Sequence, residues 1–155
     1  MKLALDQIAR WSASEIQLGA LRGHDQPIVA TGYSIDSRTL HPGDLFFAVR
    51  GERFDGHDFV EAALERGACA AVVAHDWSAK SAGSTGGLRL LITDDPLAGL
   101  QRLAAAVRRH WGKRVIGITG SAGKTTTKEA VATVLGVQFN VLKSQGNLNN
   151  GFGLP

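Results

Sequence analysis

The sequence predicts an α/β protein: a small N-terminal α/β unit, followed by the start of a second α/β unit that carries a phosphate loop. Three observations predict it. Four short apolar runs, at 28–35, 45–49, 70–74 and 88–93, alternate with polar loops and helical patterns, the order from which parallel sheets are built. A further β-branched run, Val115 to Thr119, leads into Gly120-Ser121-Ala122-Gly123 and then a helical stretch from Lys124 to about Leu135. With 44% hydrophobic and 20% charged residues, the composition is that of a globular chain rather than a disordered or fibrous one.

Taken in order, Leu3, Leu5, Ile8, Ala9 and Trp11 recur at roughly helical spacing, and Ser12-Ala13-Ser14 ends the pattern. Ile28 to Ile35 alternates in part and reads as a strand. Asp36 to Asp44 is a polar loop with a Pro-Gly turn. Leu45 to Val49 is a second strand, ending in the charged loop Arg50 to Asp58. Phe59 to Arg66 reads as a helix with Phe59, Ala62 and Ala63 inward, stopped by Gly67. Ala70 to Ala74 is a third strand. Cys69 beside it reads as a small buried hydrophobe, and a single cysteine excludes an internal disulfide. Residues 81–87 form a Gly/Ser-rich surface loop, and Leu88 to Thr93 a fourth strand. Pro96 opens a helix at its first position and carries it to about His110, with Leu97, Leu100, Leu103, Ala104 and Val107 inward. The expected domains are 1–94 and 95–155. The second offers only one helix and one more strand, Val137 to Leu142, before a Gly/Asn-rich tail. A parallel sheet covered on both faces needs more strands, and no apolar strand ends in an Asp that would give Mg²⁺ a carboxylate. The chain is therefore expected to be an N-terminal piece of a longer protein, with an incomplete site.

The formal charge is +3, with its densest patch at Arg108-Arg109-His110-Trp111-Gly112-Lys113-Arg114. That run is conceivable as a nucleic-acid patch, but such a run is more often the solvated C-terminal end of a helix; no nucleic-acid partner is expected. No apolar run approaches the length of a membrane span, and the N-terminus has no long apolar segment of a secretory signal. The expectation is no membrane insertion and a cytoplasmic home. The five His residues show no metal-ligand spacing, which excludes a zinc site.

The glycine loop carries the chemistry. Backbone N–H groups at a helix N-terminus lack internal partners and face the positive end of the helix dipole, so they bind anions. Lys124 would add a point charge for the β- and γ-phosphates, and the Thr125 hydroxyl an oxygen for Mg²⁺. The strict Walker pattern wants a Gly six residues before the Lys, where Ile118 stands, and glycines at 117, 120 and 123 miss the dinucleotide spacing.

Three separated motifs resemble one family. Ser34-Ile35-Asp36-Ser37-Arg38-Thr39-Leu40-His41-Pro42-Gly43-Asp44-Leu45-Phe46-Phe47-Ala48, with Phe54-Asp55-Gly56-His57-Asp58-Phe59, resembles the first domain of the Mur ligases. Ile116 to Glu129 looks like their ATP loop. Gly146-Asn147-Leu148-Asn149-Asn150 followed by Gly153-Leu154-Pro155 resembles the branch that adds D-alanyl-D-alanine. The resemblance spans about residues 28–155 and implies ATP-dependent amide ligation in peptidoglycan precursor synthesis. ATP and Mg²⁺ turn the terminal carboxylate of UDP-N-acetylmuramoyl-tripeptide into an acyl phosphate, which the amine of D-alanyl-D-alanine attacks. It implies that Gly120, Ser121, Ala122, Gly123, Lys124, Thr125 and Thr126 surround the triphosphate. Lys124 and Thr125 are its catalytic pair, Lys124 on the γ-phosphate and Thr125 on Mg²⁺.

The family's first domain holds the UDP end, which makes Ser34, Asp36, Ser37, Arg38, Gly56, His57, Asn147, Asn149 and Asn150 candidates for substrate binding. Asp and Ser suit uracil or ribose, and Arg suits phosphate. The same Asp36-Ser37-Arg38 also makes an Asx or ST turn with Arg38 in solvent, His57 also suits a loop or helix-start histidine, and the Asn residues also suit turns. Gly151-Phe152 departs from the acidic-aliphatic pair family members often carry there. The family's later metal ligands and third domain are absent, so this chain alone is expected to turn over nothing. Two other readings stand beside the first: a Mur ligase adding the third peptide residue, and a non-catalytic phosphate-loop module. The full-length protein is expected to be monomeric, and the strand at 137–142 to leave an edge through which the chain could self-associate.

Overall fold

The computed structural model describes residues 2–18, 27–80 and 88–144. The chain forms two compact units, Met1–Arg108 and Arg109–Pro155.

The first unit is built on a five-stranded sheet of β2 (Glu15–Leu18), β4 (Gly32–Ser34), β5 (Asp44–Phe47), β6 (Ala70–Ala74) and β7 (Arg89–Thr93), in the spatial order β2-β7-β6-β5-β4. β4 to β7 are parallel, and β2 joins β7 antiparallel. A separate two-stranded sheet pairs β1 (Leu3–Ala4) with β3 (Val29–Ala30). The helices are α1 (Leu5–Ser12), a 3-10 turn over Gly56–Phe59, α2 (Val60–Glu65), α3 (His75–Lys80) and α4 (Pro96–Trp111). Both faces of the sheet are covered, so its central strands are apolar throughout. Leu45, Phe47, Ala70, Val72 and Leu91 pack with Leu5 and Ile8 of α1 and Leu100 and Leu103 of α4. Phe46, Ala48, Ala71, Val73 and Leu90 pack with Val60 and Ala63 of α2. Phe46 and Phe47 point to opposite faces, and each is fully buried; truncating either to Ala costs about 3–5 kcal/mol.

Several expectations are corrected. The run 28–35 is two strands in different sheets, broken where the Thr31 amide bonds the Gly43 carbonyl at 3.0 Å. In α2 the inward residues are Val60 and Ala63, while Phe59 and Ala62 are exposed. The preceding 3-10 turn, with about 3.0 residues per turn, rotates the helix away from the phase that an α-helix from Phe59 would have. β2 and α3 were not anticipated. The compact units divide after Arg108, because α4 docks on the first core. Arg102 fastens it there, donating to the Ser12 carbonyl at 3.0 Å and the Thr93 hydroxyl at 3.2 Å. The loop expected at 81–87 lies outside the described residues.

In the second unit the ordered element is α5 (Lys124–Gly136). Neither 115–119 nor 137–142 forms a strand, and the described residues of this unit contain none. A strand takes its backbone bonds from a neighbour, and no neighbouring strand is present among those residues. Val115 and Ile116 are more than half exposed, and Val137 and Leu142 nearly fully so. Without a ladder there is no strand edge at 137–142, which removes the stated ground for self-association. Among the described residues, no helix is long and apolar enough to cross a membrane.

Candidate functional site

The expected ATP-binding residues form one continuous surface segment, the loop Gly120 to Gly123 and the first turn of α5. Gly123 is the N-cap, with φ +77°, and Gly120 has φ +150°. A Cβ on Gly123 would meet nothing within 4 Å, so its left-handed backbone, not crowding, calls for glycine there. The helical ladder starts with the Thr127 amide donating to the Gly123 carbonyl at 2.9 Å. By helix geometry the amides before it point out of the helix end. The Lys124 ammonium curls over the loop and donates to the Gly120 carbonyl at 2.6 Å. The first turn of α5 holds no acidic residue, so nothing there offsets the positive helix end. The nearest carboxylate on the helix, Glu129, is bonded by Lys143 and paired with Lys128, and the Lys143 bond is the main reason its carboxyl sits below the usual range.

The arrangement fits a polyphosphate: loop amides, one ammonium and an open approach. Thr125 supplies a hard oxygen of the kind Mg²⁺ takes, but no group of three or more His, Cys, Asp or Glu able to hold a metal occurs among the described residues. Mg²⁺ would be held there by the Thr125 hydroxyl together with phosphate oxygens and water. A shallow groove of about 390 Å³ beside the C-terminal half of α5, lined by Thr133, Phe139 and Lys143 among others, includes no loop residue.

In the first unit, β4 and β5 are parallel neighbours, so the chain leaves both at the same edge of the sheet. Ligands of open parallel sheets bind outside the carboxyl ends of strands, and Ser34, Asp36 and the loop 48–58 all follow those ends. The Ser34 hydroxyl donates to the Asp36 carbonyl at 2.9 Å and accepts the Asp36 amide at 3.1 Å. Asp36 Oδ1 accepts the Arg38 amide at 2.9 Å, closing an Asx turn. The Arg38 guanidinium lies against the same carboxylate, with Nε 3.0 Å from Oδ1 and one Nη 2.7 Å from Oδ2. That side-chain bond, then the Arg38 amide, holds the Asp36 carboxyl down at about 2. Ser37 is buried, whereas the Arg38 side chain is 83% exposed. The turn and the exposed arginine are therefore one structure, with the turn presenting the guanidinium to solvent.

His57 and Gly56 both make structural contacts. His57 is 2% exposed. Its Nε2 accepts the Ala74 amide at 2.9 Å, so the proton sits on Nδ1, which donates to Asp55 Oδ1 at 2.5 Å. Its ring lies 5.6 Å from that of Trp77. Asp55 also caps the 3-10 turn by accepting the His57 amide at 3.0 Å. Arg50 bridges Asp55, at 3.2 Å, and Asp76, at 2.7 Å. Burial pushes the Asp55 carboxyl up, but the His57 and Arg50 donors outweigh it and leave it below its ordinary value. His57 thus pins the loop after β5 to the end of β6. Gly56 is pressed on the backbone: an added Cβ would sit 2.7 Å from both Val49 N and O. The Asp55-x-His57 spacing is an N-cap signature that would have identified the turn. Asn147, Asn149 and Asn150 lie outside the described residues.

Comparison with known proteins adds to this geometry. Residues 29–86 match the Mur ligase family, catalytic domain, and residues 118–155 match the Mur ligase middle domain. A UDP-N-acetylmuramoyl-tripeptide–D-alanyl-D-alanine ligase of Bacillus subtilis is 45% identical over 82% of this chain and 27% of its own length. The crystal structure of MurF from Acinetobacter baumannii matches with a TM-score of 0.81 at 28% identity, over 99% of this chain and 32% of that one. The MurF ligase from Thermotoga maritima in complex with ADP matches with a TM-score of 0.67 at 35% identity, over 79% of this chain and 27% of that one. The chain therefore spans roughly a quarter to a third of the length of these relatives.

Proposed function

The chain belongs to the Mur ligase family, and from that premise we propose that it serves an ATP-dependent amide ligase joining D-alanyl-D-alanine to UDP-N-acetylmuramoyl-tripeptide in cytoplasmic peptidoglycan precursor synthesis. The observation that carries this reading is the Lys124 ammonium, poised over a glycine loop at the start of a helix with no acid in its first turn. The name of the Bacillus subtilis relative and the ADP complex of the Thermotoga maritima one support it.

In this reading the first unit holds the UDP end of the nucleotide sugar through Ser34, Asp36, Ser37 and Arg38, and the second holds the triphosphate. ATP supplies the phosphoryl group that makes the tripeptide carboxylate an acyl phosphate, the electrophile for the incoming amine. The loop amides of Gly120 to Thr126 fix the phosphates in line. Lys124 leaves the Gly120 carbonyl for the γ-phosphate and balances the charge that spreads over its oxygens during transfer. The Thr125 hydroxyl would hold Mg²⁺, which would supply charge neutralisation for the transfer. Asn147, Asn149 and Asn150 contact the same substrate.

The test is Lys124→Ala in the full-length protein, with the 155-residue chain as a second sample. Loss of one preorganised charge contact costs about 10²–10³ in kcat. Release of ADP and formation of the new amide should both fall by at least that much, and the 155-residue chain should form no amide. A variant that ligates normally, or that changes nucleotide affinity alone, points instead to a binding module.

A further inference from the structure

The bonds inside the turn that presents Arg38 are all local. Ser34 to Asp36, Arg38 to Asp36 and Thr39 to Asp36 span two or three residues. They define the shape of the turn but not its place on the sheet. Bonds from another element do that. Arg66 is the C-cap residue of α2, and its Nη1 donates to the carbonyl oxygens of Ser37 and Arg38, each at 3.2 Å, across 29 and 28 residues. α2 is a fixed reference, because Val60 and Ala63 are fully buried against the sheet. The contact meets the turn where Ser37 enters the protein interior. Its positive charge also adds to the field that keeps Asp36 ionised.

We infer that Arg66 is a positioning residue for nucleotide-sugar recognition: by holding the Ser37 and Arg38 carbonyls it sets where the Arg38 guanidinium meets a diphosphate-bearing ligand. The inference rests on the reading of this loop as the nucleotide-sugar site. Arg66 bonds the backbone of the turn. Its loss should therefore loosen ground-state binding of one substrate and leave the chemical step alone.

The experiment compares Arg66→Ala, Arg66→Lys and Arg38→Ala in the full-length protein, by steady-state kinetics and thermal melts. Arg66→Ala should raise KM for UDP-N-acetylmuramoyl-tripeptide about five- to tenfold, the size of charge-assisted hydrogen bonds weakened by solvent exposure. Its kcat and its KM for ATP should stay at wild-type values, and Arg66→Lys should recover part of the loss. A raised KM in Arg38→Ala with a wild-type KM in Arg66→Ala overturns the inference and leaves the site reading standing. Wild-type KM in both overturns the two together. A parallel loss of kcat, both KM values and melting temperature in Arg66→Ala, with no rescue by Lys, shows a folding role and also overturns it.

Discussion

Replacing His57 by Phe separates a structural histidine from a ligand. The phenyl ring keeps the volume packed beside Trp77, so little cavity cost arises. The two nitrogens are lost. Ala74, 1% exposed, then has an amide with no acceptor, which costs about 1–3 kcal/mol. The lost Nδ1 bond weighs less. Asp55 is 39% exposed and keeps the His57 amide and Arg50 as donors, so solvent screening leaves about 0.5–1 kcal/mol. The sum is about 1.5–4 kcal/mol, a large part of the stability of a domain this size. Urea unfolding followed by tryptophan fluorescence reads it, with Trp77 next to the substitution. A His57→Phe variant within about 0.5 kcal/mol of wild type that had nonetheless lost nucleotide-sugar binding would refute the structural assignment and restore His57 as a ligand.

Two further expectations follow from the same unit. Gly56→Ala places a methyl against the Val49 backbone, where nothing flexible can yield, and should cost about 1–3 kcal/mol; an unchanged melting temperature would contradict the packing. Asp36 has a folded-state value of about 2 against an ordinary 3.8, so its contribution is present above about pH 4 and disappears as the pH falls towards about 2. The group is partly exposed, which keeps that contribution below about 1 kcal/mol. Asp36→Asn keeps the turn acceptor and loses the charge, so the stability gap between wild type and variant should narrow between about pH 5 and pH 2 in urea titrations. A gap that stays constant would mean that the Asp36–Arg38 pair adds no stability.

Most of the sheet was legible because β5, β6 and β7 are apolar on both faces, a pattern that needs no knowledge of neighbours. β2 was not, since Glu15-Ile16-Gln17-Leu18 is short, alternates with polar residues and lies at an edge. The opposite error occurred at 115–119, where an apolar β-branched run looks like a strand but has no ladder among the described residues. The glycine turn and helix start were readable because their geometry is set within seven residues, from Gly120 to Thr126. The other cluster was readable only in part. The Asp36–Arg38 pair is local, but the partner that occupies His57 Nε2 is Ala74, 17 residues away. The residue that seats the turn is Arg66, at 28 and 29 residues. Such partners come from strand order and helix length, which motif spacing does not encode.

The imidazole that accepts the last amide of the central strand belongs to the loop after the strand beside it. That loop cannot fluctuate by small degrees as an ordinary surface connection does. Displacing it strips an acceptor from β6, releases the Asp55 cap and breaks the Arg50 bridge to α3 in one event. Asp55 and His57 are therefore tied to the local stability of the sheet. Their opening is tied to a subglobal unfolding event, and the edge that carries the Arg38 turn stands next to a wall that is either intact or gone.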